Sequence, residues 1–368
     1  MKFSKYQLES RVADLFGYSN AIFFGRARSG VAALLTVLGL SPDTAFVMPS
    51  NLCSSLLLAV HSSGVKIELV GVSESNGLPS DLALVDAMKR TALPGLIMPT
   101  HLYGFVQPCS QTLAYARANN WFVLENDTLA TRACLGGASR TAFGDALLVS
   151  FGYAKTIEAG GGGALLTNDR SLARELQKQA DSFILLDDLA QQAENDFMLL
   201  DRYLRNTPFE ESGISFNDRE KLLFTRAPNF KFSFPENLLE PLSLAIDGLS
   251  IKVDEKRRRI EMWNHFLSPF DDVLLRPDID YMVPWRLIRR VPGIRDKVVY
   301  ALRQVKIDAG TNFPPLTTCF PSLFQNQLNA AADQWGLEVL NLWLSSDYGA
   351  EQMLQTAEVI ERVLLDSL

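Results

Sequence analysis

Short apolar segments recur along the first half of this sequence, at residues 21–24, 45–48, 65–70, 95–99, 121–124, 146–151 and 161–167. Stretches with helical spacing separate the first five, at 31–40, 54–62, 81–89 and 111–119, and another follows at 172–180. A continuous apolar run of that length, bounded by Gly, Pro or Asn, reads as a strand buried on both faces. Strands that alternate with helices cross over to parallel neighbours. The pattern therefore predicts an α/β chain with a mostly parallel central sheet covered by helices. In such sheets ligands bind beyond the C-terminal ends of the strands. That rule directs attention to Ser29, to His101, to the run Glu125, Asn126 and Asp127, and to the segment after Val149.

The rest of the chain is less regular. A helix is predicted over 3–16, irregular helices and loops over 183–226, and an extended stretch over 228–235. A long helical region runs over 237–266, and its charges at Lys256, Arg257, Arg258 and Arg259 read as a solvated face. Beyond 270 strands and helices come at mixed spacing with frequent Pro, and 351–364 is an amphipathic helix. With 368 residues the chain exceeds one small domain. The expected division is a large domain over 1–249 and a smaller C-terminal α/β domain over 250–368.

The acidic balance, a formal net charge of -7, argues against a general nucleic-acid binder. It leaves room for a locally basic pocket that takes an anionic small molecule. The N-terminal residues lack the apolar core of a signal peptide, and no apolar run reaches the length of a bilayer span. Cys53, Cys109, Cys134 and Cys319 are far apart and read as buried, reduced thiols. Together these features predict a cytoplasmic enzyme with no membrane or nucleic-acid partner. No metal-ligand spacing, Gly-x-Ser-x-Gly elbow or phosphate loop is present, so no metal site is expected.

Four consecutive glycines, Gly160 to Gly163, join two predicted strands, and Lys155 lies five residues before the first of them. Glycine there permits positive φ and close backbone approach, whereas a flexible linker is the plainer alternative. A lysine at the mouth of a sheet can lose its charge by desolvation, and only the neutral amine attacks an aldehyde. It can equally be a surface lysine. His101 is placed to stack on a ligand or to serve the structure, and Glu125 to Asp127 to contact a ligand or cap a turn.

These residues bring a family into view. His101-Leu102-Tyr103-Gly104, the run from Glu125 through Phe143, Gly144 and Asp145 to Ser150, Phe151 and Lys155, and the segment Gly161 to Asp169 resemble the DegT/DnrJ/EryC1/StrS family of sugar aminotransferases. Ser29, Gly30, Ala33 and Leu34 resemble its phosphate-binding helix start. The resemblance implies a fold-type-I transferase that uses pyridoxal 5′-phosphate, with Lys155 as the attachment point. It implies that Ser29, Gly30, Val31 and Ser150 lie at the cofactor phosphate and that Cys53, His101, Asn126 and Leu129 lie around its ring. Asn229 would reach the phosphate of the other subunit, which implies a homodimer with shared active sites. The implied reaction moves an amino group from glutamate, the small-molecule donor, to a nucleotide-linked keto-sugar.

Five positions depart from the family pattern. Asn126 replaces an aspartate, Val31 a threonine, Leu129 a glutamine or histidine, Cys53 an aromatic residue, and Lys231 an arginine. An asparagine carries no charge to hold a proton on the pyridine nitrogen. Two alternatives therefore stay open. One is a pyridoxal-phosphate enzyme of another reaction type, a dehydratase or an aminating enzyme for a non-sugar. The other is a non-catalytic relative with a degenerate site.

Overall fold

A computed structural model of the protein describes residues 3–129, 144–206, 213–324, 330–345 and 348–366. Cys134 and Phe143 lie outside the described residues. The elements run α1 (Lys5–Phe16), β1 (Asn20–Phe24), α2 (Ala27–Leu38), β2 (Ala45–Pro49), α3 (Ser54–His61), β3 (Lys66–Val70), α4 (Asp81–Lys89), β4 (Leu96–Ile97) and α5 (Ser110–Ala118). Next come β5 (Phe122–Asn126), β6 (Ala146–Ser150), β7 (Gly163–Thr167), α6 (Arg170–Ser182), β8 (Ile184–Leu185), α7 (Asp188–Asn206), α8 (Phe216–Arg226) and β9 (Phe232–Ser233). The last part holds α9 (Leu239–Asp247), α10 (Leu249–Leu267), β10 (Leu287–Arg290), α11 (Arg295–Gln304), β11 (Ala309–Gly310), α12 (Leu316–Cys319), α13 (Ala330–Glu338), β12 (Val339–Leu342) and α14 (Ala350–Leu365).

The main sheet has the order β3-β2-β4-β5-β6-β7-β1-β9-β8. The pairs from β3 through β6 are parallel, as the alternating pattern requires. The strands β7 and β1 run antiparallel to their neighbours. The apolar runs contain nothing that distinguishes these directions, because a strand covered on both faces looks the same either way. Every residue of β2 and β7 is buried, which places helices over both faces. A second sheet, order β10-β12-β11, is antiparallel and packs on α10, α11 and α14 through Trp263, Val298, Leu342 and Ile360.

Local chemistry accounts for several element ends. Ser4 and Gln7 form a reciprocal capping box at α1, and Asp169 accepts from the backbone N–H groups of Ser171 and Leu172 at the start of α6. Asp169 thus caps the helix, while Asn168 Oδ1 accepts from the Ser19 N–H at 2.8 Å. The segment 95–99 keeps only two ladder residues as a strand, because Pro99 has no N–H to donate. The helix predicted from residue 31 begins a turn earlier, at Ala27, since the Arg26 carbonyl accepts from the N–H groups of Ser29 and Gly30. Gly30 lies within the first turns of the helix and not at its boundary. The region 237–266 divides at Gly248 into two helices.

The C-terminal part is stitched to the strand-end loops of the main sheet. Gly104 (φ 94°) accepts from the N–H groups of Met282 and Val283, and a Cβ on it would lie 1.8 Å from the Val283 carbonyl oxygen. The buried Tyr103 hydroxyl accepts from Trp335 Nε1 at 3.0 Å and from the Phe313 N–H at 3.1 Å. The Leu316 N–H donates to the Ser50 carbonyl at 2.6 Å. The edge of the main sheet where the parallel strands end is therefore roofed by residues from 282 onward.

Candidate active site

Lys155 lies just beyond the end of β6, in a tight loop. Its N–H donates to the Gly152 carbonyl, and Ala154 before it takes φ 61°. The loop is closed at its base by Ala159 N–H to Phe151 O at 2.8 Å and Phe151 N–H to Gly162 O at 3.1 Å. Trp285 Nε1 donates to the Ala154 carbonyl at 2.9 Å, and Lys252 Nζ to the Lys155 carbonyl at 3.1 Å. The Lys155 side chain is half-buried, and Nζ reaches Thr128 Oγ1 at 3.4 Å. Burial pushes the amine down to about 8; the nearby Cys53 sulfur opposes the shift, and the Arg286 charge adds to it.

The glycine run is explained by close approach. A Cβ on Gly163 would lie 2.6 Å from Ala27 Cα, and one on Gly161 would lie 2.6 Å from Arg26 Nη1. Gly162 has φ 85°, and a Cβ there would meet the Phe234 ring at 2.6 Å. The run thus lets the start of α2 press against β7, beside Ser150, which pairs with Gly163 across β6 and β7. It is no flexible linker.

Other expected residues fall into three groups. Lys155, Cys53 and Thr128 come together, and Asn126 is two residues from Thr128, whose N–H donates to Asn126 Oδ1 at 3.3 Å. Ser150 and Ser29 stand at the α2 junction; Ser150 Oγ accepts from the Gly152 N–H at 3.3 Å, and Ser29 is wholly buried. Val31 and Leu129 are packed into the main apolar core, so their side chains offer contact and no hydrogen bond. His101 is 1% exposed, with Nε2 3.2 Å from Glu125 Oε2 and Nδ1 accepting from the Gln107 N–H at 3.1 Å. Both ring nitrogens have protein partners, so only its ring face is open to a ligand role. Asn229 is exposed, its Oδ1 accepts from the Lys231 N–H, and no contact joins it to Lys155.

Several residues of the site were missed in the sequence. Arg286 is buried, with its guanidinium carbon 4.4 Å from the Trp285 ring centre and 3.7 Å from that of Trp343. Arg26 and Arg28 at the start of α2 both pair with the buried carboxylate of Glu194, Arg26 at 3.2 Å. Lys256 corrects the solvated-face reading of its helix: it is buried, and its amine is pushed down to about 7 by burial and by Lys252, against the pull of Glu158. A Lys-Arg-Arg-Arg run looks uniform in sequence; only the helix's packing singles out one member.

The donor set fits a phosphate-bearing aldehyde. The hydroxyls of Ser29, Ser54 and Thr156 are buried without a partner, and each is carried on a segment that borders Lys155 or the start of α2. Buried polar groups in folded proteins are normally satisfied, so these mark unmet hydrogen-bonding capacity. Arg26 and Arg28 against one Glu194 leave a positive excess at a helix N-terminus, which favours an anion. Among the described residues, no group of His, Cys, Asp and Glu side chains could hold a metal ion, and no helix is long and apolar enough to cross a membrane.

A mixed sheet with a lysine of lowered pKa at a strand end, roofed by a smaller antiparallel sheet, defines an α/β transferase of the pyridoxal-phosphate type. Comparison makes the class specific: residues 4–185 match the DegT/DnrJ/EryC1/StrS aminotransferase family, whose cofactor is pyridoxal 5′-phosphate. It is 29% identical over 171 residues to the GDP-perosamine synthase of Caulobacter vibrioides, covering 46% of each chain. It is 30% identical over 174 residues to the GDP-perosamine synthase of Escherichia coli O157:H7, covering 46% of this chain and 47% of that one. The match thus spans about half the length of these relatives. The fold extends further. A DegT DnrJ EryC1 StrS aminotransferase from Brucella abortus superposes with TM-score 0.73 at 16% identity, over 98% of this chain and 91% of that one. The aminotransferase TlmJ from Streptoalloteichus hindustanus gives 0.76 at 16%, over 99% and 92%.

Proposed function

We propose that this protein is a pyridoxal-phosphate aminotransferase that moves an amino group from glutamate to a keto-sugar carried on a nucleotide. The observation that carries the reading is the Lys155 amine, enclosed at the end of β6 and pushed down to about 8. Relatives named as GDP-perosamine synthase and as dTDP-3-amino-3,4,6-trideoxy-alpha-D-glucose transaminase support the nucleotide-sugar class.

When bound, the cofactor supplies an aldehyde for amines to attack and a ring that withdraws electrons. Ser29, Ser150 and the start of α2 would hold its phosphate, with Arg26 and Arg28 adding positive charge. Lys155 would be its attachment point. Freed from that bond, the Lys155 amine is the base that would take the proton from the substrate carbon and return it; Thr128 Oγ1 orients Nζ. Asn126 would offer the ring nitrogen a neutral partner, and His101, held by Glu125 and Gln107, would pack with its ring face. Cys53, Val31 and Leu129 would supply the remaining contacts.

The same reading makes the protein a cytoplasmic homodimer with a large cofactor-binding domain over 1–249 and a small one over 250–368. The exposed Asn229 supports a reach into a second subunit. So do the exposed apolar side chains of Ile184 and Leu185 on the edge strand and of Leu189 and Leu199 on α7.

Titration with pyridoxal 5′-phosphate tests the first step. A visible absorbance band is expected in the wild type and none in Lys155→Ala; no band in either overturns the reading. Release of 2-oxoglutarate from glutamate plus nucleotide-linked keto-sugars then tests the reaction. A band without that release favours a second reading, a different reaction on the same cofactor, for which the uncharged Asn126 at the end of β5 is the supporting observation.

A further inference from the structure

The loop that carries Lys155 is held from outside the main sheet. Within the loop the Lys155 N–H closes a turn on the Gly152 carbonyl at 3.2 Å, and the Ala159 N–H closes the base on Phe151. The two carbonyls that flank the Lys155 Cα are met by donors from far along the chain. Trp285, just before β10, gives its Nε1–H to the Ala154 carbonyl at 2.9 Å. Lys252 on α10 gives its amine to the Lys155 carbonyl at 3.1 Å, and the same amine lies 3.6 Å from the Glu158 carboxylate further along the loop.

Each peptide unit is planar, so a held carbonyl holds its plane. The Cα–Cβ bond of Lys155 leaves from the junction of these two planes. Fixing both sets the direction in which the side chain starts toward Thr128. The residue before it shows that this path is imposed. Ala154 has φ 61°, a left-handed conformation that a non-glycine residue keeps where its surroundings over-determine it. Trp285 is itself fixed: it is buried, its ring is stacked on Phe313 at 9° with 5.9 Å between centres, and the Tyr103 ring lies 6.3 Å away. A buried indole N–H usually finds an acceptor, so that bond alone would signify little. Two donors from separate elements on consecutive carbonyls, at the residue whose amine has to reach an aldehyde, signify more.

We propose that Trp285 and Lys252 are positioning residues for the Lys155 amine: by pinning the peptide planes on either side of its Cα, they aim Nζ into the site. The proposal rests on Lys155 as the reactive lysine. It makes the aim of that amine depend on the chain beyond residue 249, although the lysine itself follows a strand of the main sheet.

Trp285→Phe tests this, because it keeps a ring in the stack and removes the donor. Trp335→Phe is the matched control: it loses an indole N–H bond in the same roof, the one to the Tyr103 hydroxyl at 3.0 Å. Attachment of pyridoxal 5′-phosphate to the full-length protein is followed by stopped-flow absorbance against pH, and the high-pH plateau of the rate, where the amine is neutral, reads aim and not charge. Trp285→Phe is expected to lower the plateau about tenfold or more, and Trp335→Phe to leave it within about twofold. Lys252→Met should lower it as well and Lys252→Arg restore it, which keeps the test decisive if Trp285→Phe does not fold. A second readout needs no cofactor: the pH midpoint of Lys155 acetylation by acetic anhydride, read by mass spectrometry. Trp285→Phe exchanges one uncharged residue for another, so an upward move of about half a pH unit or more, toward the ordinary lysine value, reports a displaced amine. The proposal is overturned if the plateaus of Trp285→Phe and Lys252→Met equal that of the wild type, or if Trp335→Phe lowers the plateau as far as Trp285→Phe does. Absence of any absorbance band in the wild type sinks the Lys155 reading instead; the acetylation midpoint then still decides this proposal, which fails if Trp285→Phe leaves that midpoint in place.

Discussion

The amine of Lys155 gives the sharpest prediction, because its reactivity follows from its neutral fraction. An amine that titrates near 8 is about 9% neutral at pH 7, whereas an ordinary lysine amine near 10.4 is about 0.04% neutral. The enclosed position therefore raises the attacking form roughly 200-fold at neutral pH. The rate of covalent attachment of pyridoxal 5′-phosphate, followed by stopped-flow absorbance from pH 6 to 10, should climb tenfold per unit at first. It should level off above about 8. Two substitutions move the midpoint in opposite directions. Arg286→Met removes a like charge and should shift it up, with Arg286→Lys as the control that keeps the charge. Cys53→Ser removes a group that favours the charged amine and should shift it down. A rate that keeps climbing to pH 10, or a midpoint indifferent to both substitutions, would refute the claim that burial and these neighbours set the amine.

Other outcomes follow from particular contacts. Gly104→Ala combines a φ of 94° with a Cβ 1.8 Å from a carbonyl oxygen and should cost at least about 2 kcal/mol in chemical denaturation, loosening the roof over the site. Glu194→Gln leaves Arg26 and Arg28 without their buried counter-charge and should cost about 3–5 kcal/mol by the same assay. Asn126→Asp should raise turnover by roughly 10²–10³ if the ring nitrogen meets this position, read from 2-oxoglutarate release; no gain would place that nitrogen elsewhere. Lys256 has a signed effect on stability. Its folded amine titrates near 7 and the unfolded one near 10.4, so between these values the unfolded chain holds more protons and stability rises with pH. The advantage of Lys256→Met over the wild type in denaturant should therefore be largest below pH 7 and shrink through that window.

The sequence by itself determined the strand and helix alternation, and with it the mostly parallel sheet and the strand ends where a site must lie. It also marked Lys155 and the glycine run, because a lysine after a buried strand and four successive glycines are local facts. Local patterns left other things open. Apolar runs do not encode the direction of β7 and β1, and the first turn of α2 formed upstream of Gly30 because the Arg26 carbonyl found its donors there. Tertiary structure alone decided which charges matter. Arg286, Lys256, Glu194 and Thr128 are ordinary polar residues in sequence, separated by tens of residues from what they act on. A charge gains its chemical meaning from the dielectric and the partners around it, and only the packing of α10, β10 and the strand-end loops sets those.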